Sequence, residues 1–132
     1  MRKTFPRSFD SLGDIYVFTE QILTAAAVTD SSRQTVHLAI EELFTNIVKY
    51  GGGGHDILLD VLAHDGSVIV SLTDFDADEF DVTTDREVDT SKPLDRRRPG
   101  GLGLHLVQKM VDSIEYDYHD RQSTIRFTKE SG

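Results

Sequence analysis

The chain has no cysteine, no tryptophan and only three prolines. Without cysteine there can be no disulfide, no thiolate metal site and no cysteine nucleophile, and the expected setting is a reducing cytoplasm. No apolar run approaches the roughly 20 residues that cross a bilayer. The basic start Met1-Arg2-Lys3 has no apolar stretch behind it, so it does not read as a secretory signal. Positive charge is scarce: 14 Lys and Arg stand against 23 Asp and Glu, a formal net charge of −9. Such a surface repels a phosphate backbone, so neither direct nucleic-acid binding nor a membrane is expected. The basic run Arg96-Arg97-Arg98 is too short to be a nucleic-acid footprint by itself. At 132 residues, with 38% hydrophobic and 28% charged side chains, the chain reads as one globular domain over 1–132.

Periodicity then sorts the chain into elements. Thr4 to Phe9 reads as a short strand that Pro6 confines to an edge. From Ser11, a plausible N-cap, Leu12, Ile15, Tyr16, Phe18, Ile22, Leu23 and Ala26 recur at helical spacing. Asp30-Ser31-Ser32 with Gln34 resembles a capping box, and Val36, Ala39, Ile40, Leu43, Ile47 and Val48 mark one face of a long helix behind it. Gly51 to Gly54 end that helix. The period then changes to two, through Ile57, Leu59, Val61 and then Val68, Val70, Leu72, with a turn at His64-Asp65-Gly66-Ser67. Residues 75–99 are acidic and aperiodic, as in a functional loop. A helix opens at Gly100-Gly101-Leu102-Gly103, and strands Ile114-Tyr116-Tyr118 and Thr124 to Thr128 follow. The order β-α-α-β-β-loop-α-β-β predicts an α+β fold, a two-layer sandwich with helices on one face of a mainly antiparallel sheet.

Three features carry chemistry. Glu42 and Asn46, four residues apart, share a helix face and reach one small volume. An amide oxygen suits Mg²⁺, and a carboxylate beside it can accept a proton from an attacking hydroxyl. Taken alone, the pair reads equally as a solvated helix face. Asp74 closes a strand, where a carboxylate can accept a hydrogen bond from a base's exocyclic amine, though it is one loop acid among several. Gly100 to Gly103 let backbone approach an anion at a helix start. No Gly-Lys-Ser/Thr follows, so this is not a Walker loop. The five histidines have no metal-ligand spacing.

In this order, Glu42-x-x-x-Asn46, Asp74 and Gly101-x-Gly103 resemble the signature of the GHKL (Bergerat) ATP-binding fold. Within that fold they resemble the short anti-sigma-factor serine/threonine-protein kinases of the RsbW/SpoIIAB type. Glu41 to Gly51, Phe80-Asp81, Gly100 to Val107 and Thr124 each resemble boxes of that family, and the likeness runs over nearly the whole chain. It implies ATP and Mg²⁺ as cofactors, with Asn46 holding the metal and Glu42 acting as general base. Asp74 would bind the adenine amine with Thr124 in support. Gly101, Leu102, Gly103 and Leu104 would cradle phosphate beneath a lid formed by 82–99. It further implies phosphorylation of an anti-sigma-factor antagonist, sequestration of a sigma factor or another regulator, and a homodimer; Phe5, Phe9 and Ile15 could supply its interface or equally belong to the core. One departure stands out. The family carries glycine two residues after the adenine-binding aspartate, and this chain has Asp76. Carboxylates crowding a polyanion pocket favour an alternative reading, a nucleotide-binding or partner-binding regulatory module that keeps the fold and transfers no phosphate.

Overall fold

Strands fall where the hydrophobic period is two and helices where it is near 3.6. In the computed structural model, which describes residues 1–51, 53–77 and 101–130, the order is β1 (Arg2–Phe5), a 3-10 turn (Phe9–Ser11), α1 (Leu12–Ala25), α2 (Asp30–Tyr50), β2 (Ile57–His64), β3 (Ser67–Asp74), α3 (Gly101–Met110), β4 (Ser113–His119) and β5 (Gln122–Lys129). The strands form one five-stranded sheet in the order β1-β2-β3-β5-β4, antiparallel at every pairing. The expected α+β sandwich is what the chain forms.

Strand alternation decides which side chains meet the helices. Leu59, Val61, Val68, Val70, Leu72, Ile125 and Phe127 are buried beneath α1 and α2, with Ile15, Leu23, Val36, Ile40, Leu43 and Phe44 facing them. Each such side chain, fully buried, contributes about 1.5–3 kcal/mol of transfer free energy. The opposite parity, with Leu62, Ile69 and Arg126, stays exposed. Helix α3 packs against α2 and drives Val107 and Val111 into the same core.

The turns follow backbone chemistry. Asp65 and Gly66 both take positive φ (52° and 84°), which makes β2–β3 the expected tight hairpin. Helix α1 ends with Ala27 in the left-handed region (φ 56°), where Val28 N bonds Leu23 O and Ala27 N bonds Thr24 O. That is the Schellman pattern with alanine where glycine is usual.

Local details depart from the expectation. Strand β1 stops at Phe5, since Pro6 has no N–H to donate to the ladder. Ser11 precedes α1 but makes no capping bond; its hydroxyl donates to Pro6 O at 2.8 Å. The cap of α2 is Thr29, whose Oγ1 accepts from Ser32 N at 3.3 Å, so the Ser31–Gln34 box is not used. Phe5 and Ile15 are core residues, 2% and 3% exposed, which removes both from any subunit interface and leaves Phe9.

Candidate functional site

Helix α2 sets the first part of the site. Its core face turns Leu43, Phe44 and Ile47 inward, and Asn46 is buried with them at 3% exposure. Glu42 is half-buried and Glu41 exposed, as the helical angle between neighbours requires. Asn46 Nδ2 donates to Glu42 O at 2.6 Å, which fixes the amide, and its Oδ1 is buried without a partner among the described residues. Buried polar atoms are normally satisfied. An orphaned amide oxygen is a hard donor of the kind Mg²⁺ takes, so this residue fits the metal.

Asp74, the last residue of β3, is 2% exposed. The C-terminal end of α2 comes down on it. A Cβ on Gly51 would lie 2.8 Å from Asp74 Oδ2 and 2.6 Å from Ile47 O. One on Gly53 would collide with Asp74 Oδ1. Gly51 and Gly53 are therefore required by close approach to this carboxylate. Asp74 Oδ1 accepts from Arg7 Nη2, and the same guanidinium donates to Ile47 O (3.2 Å) and His55 O (3.3 Å). Arg7 belongs to no sequence motif and is the main residue that the sequence did not disclose.

Helix α3 begins at Gly101, so the amides of Gly101, Leu102, Gly103 and Leu104 are the four with no acceptor inside the helix. Gly100, the Phe80-Asp81 pair, the Arg96 to Arg98 run and the 82–99 lid lie outside the described residues.

Asn46 and Asp74 are thus buried on α2 and β3, which pack together, and the glycine-opened α3 packs against α2. The histidine kinase-like ATPase domain family matches residues 5–129. The chain belongs to that family. The serine-protein kinase RsbW of Halalkalibacterium halodurans is 30% identical over 118 residues, 85% of this chain and 72% of that one. RsbW of Staphylococcus aureus is 25% identical over 134 residues, 94% and 82% of the two chains. A crystal structure of the RsbU and RsbW domains of a Mycobacterium tuberculosis protein superposes with a TM-score of 0.69 at 17% identity. It covers 99% of this chain, which spans about a third (32%) of that structure, and it bears on the fold alone.

Within this ATPase-type frame, two positions differ from expectation. Thr124 stands opposite Thr73 in the β3–β5 register, with their hydroxyl oxygens 3.1 Å apart. Side chains alternate along a strand, so Thr124 lies on the face opposite Asp74 and does not support it. The residue paired with Asp74 is Ser123, whose hydroxyl donates to Tyr116 Oη at 3.3 Å. Parity would have found it, because Ile125 and Phe127 face the core and Ser123 is in phase with them.

Asp76 is the second. It takes φ 50°, the left-handed conformation that glycine adopts freely and aspartate tolerates. Its carboxylate is committed to Arg121, with Nε to Oδ1 at 2.8 Å, and Arg121 Nη2 also reaches Asp76 O at 3.2 Å. That hydrogen bond and the guanidinium charge hold the Asp76 carboxyl below its ordinary range. Ala77 N donates to Arg121 O (2.9 Å) and Ala77 O accepts from Tyr118 Oη (2.8 Å). The turn after Asp74 is thus held by the β4–β5 hairpin.

Proposed function

We propose that the chain is an ATP-dependent serine/threonine protein kinase of the anti-sigma-factor type. In this reading it phosphorylates an antagonist protein and, when free of it, sequesters a sigma factor or another regulator, as a homodimer in the cytoplasm. The supporting observation is Asn46 Oδ1, buried and without a partner among the described residues, four residues after Glu42 on the helix whose C-terminal end packs on the buried Asp74. Phosphoryl transfer needs mostly positioning and charge neutralisation. Asp74, with Ser123 beside it, would accept the adenine amine, and the first-turn amides of α3 would hold phosphate oxygens. Asn46 Oδ1 would hold Mg²⁺, which supplies neutralising charge on the phosphates when bound. Glu42 would take the proton from the target hydroxyl as its oxygen bonds to the γ-phosphorus and ADP departs.

The arrangement of Asp76 supports activity over the module reading. The backbone conformation that a glycine would give is kept, and the extra carboxylate is paired with Arg121. Incubation with labelled ATP, Mg²⁺ and the antagonist encoded near this chain tests the reading. Transfer of label to serine or threonine is the expected result. Binding of ATP without transfer would instead make the chain a regulatory module of the same fold.

A further inference from the structure

Arg7 ties three elements to one point. Its guanidinium meets the Asp74 carboxylate, the Ile47 carbonyl in the last turn of α2 and the His55 carbonyl in the loop beyond. The side chains of Arg7 and Asp74 are 17% and 3% exposed, so this ion pair is largely buried. Such a pair is strongly held so long as both partners stay, since removing one leaves an uncompensated charge. A base amine that is to bond Asp74 seeks a carboxylate already taken by a stronger, charged donor.

We propose that Arg7 is an internal occupant of the base site: its guanidinium fills the place on Asp74 that an adenine amine takes, and nucleotide entry expels it. The proposal rests on the ATP-binding reading above. Each partner that Arg7 leaves has a replacement. Ile47 O also accepts from Gly51 N at 2.9 Å, and the exposed His55 can offer its carbonyl to water. Asp74 exchanges a guanidinium N–H for the amine of the base. Nor does departure require the segment to unfold. Phe5, 2% exposed, anchors it on one side, and the Ser11 hydroxyl bonded to Pro6 O at 2.8 Å anchors it on the other. Only the side chain swings out. The open-site fraction then lowers apparent affinity, because a ligand binds in proportion to the competent population.

Two measurements test this. Titration calorimetry with Mg²⁺ and ATP at neutral pH compares the parent chain with Arg7→Gln. Loss of one charged hydrogen bond that competes with the ligand should tighten binding about tenfold. In the parent chain, phenylglyoxal modification followed by mass spectrometry reads Arg7 directly, with Arg2, 73% exposed, as internal reference. Saturating ATP should raise modification of Arg7 and leave Arg2 unchanged. Equal or weaker binding by Arg7→Gln, or an Arg7 that becomes less reactive with ATP, would overturn the proposal. Arg7 would then be a positioning residue, and the ATP reading would stand. Binding by Arg7→Gln alone would support the proposal in its strongest form, whereas no binding by either chain would end both readings.

Discussion

Glu42 and Asn46 sit on one face of α2 but have separable tasks, and substitution can divide them. Glu42→Gln keeps size and hydrogen bonding while removing the basic carboxylate. It should bind ATP about as well as the parent yet phosphorylate the antagonist at least about 10²-fold more slowly. Glu41, exposed and turned roughly 100° away, is the control. Equal slowing by Glu41→Gln and Glu42→Gln in a single-turnover assay would remove Glu42 as the base. The Asp76–Arg121 pair makes a different residue-scale prediction. Asp76 has a lowered carboxyl pKa in the folded chain, so its contribution to stability is present above the ordinary aspartate value. It is lost as pH falls through the folded value. Urea unfolding should therefore find Arg121→Ala less stable than the parent at neutral pH, with the gap closing as pH falls below the ordinary aspartate range. A gap that is unchanged in acid would mean that Arg121 acts through packing alone.

Among the elements, α1 carries the clearest unspent stability. Ala27 occupies a left-handed position at φ 56°, where a Cβ costs roughly 1–2 kcal/mol, partly offset by the greater unfolded-state entropy of glycine. Ala27→Gly should raise the urea-unfolding free energy by up to about 1 kcal/mol, and a loss of stability would contradict the strain assigned there. The element order and the hairpin at Asp65-Gly66 were legible because hydrophobic period and turn chemistry are local properties. Asn46 and Asp74 could be picked out as candidates in the same way, since an i,i+4 pair and a strand-end acid can be seen without folding the chain. Arg7 was not legible, because its link to Asp74 joins residues 67 positions apart and no local pattern marks it. Thr124 was misplaced for another reason. Likeness to a family box finds a threonine by type, whereas facing is set by register, and here register favours Ser123. The capping box at Ser31 failed by competition, since Thr29 already supplies the side-chain oxygen that the first turn of α2 needs.

For the molecule as a whole, a ligand that binds only the folded chain must stabilise it by mass action. Mg²⁺ and ATP at 100 times the dissociation constant should add about 2.7 kcal/mol, a rise in Tm of about 10 °C for a domain of this size. Differential scanning fluorimetry reads this without any partner protein, and an unchanged Tm over the same range would count against a nucleotide site. The ion pair between Arg7 and Asp74 also carries a consequence for synthesis. Arg7 leaves the ribosome first, and its acidic partner follows 67 residues later. At about 5–20 residues per second the interval is roughly 3–13 s. Until β2 emerges β1 has no strand to pair with, and before Asp74 arrives the guanidinium has at most the Ile47 and His55 carbonyls. The growing chain can wind α1 and α2 early, but it cannot close the site until β3 has emerged.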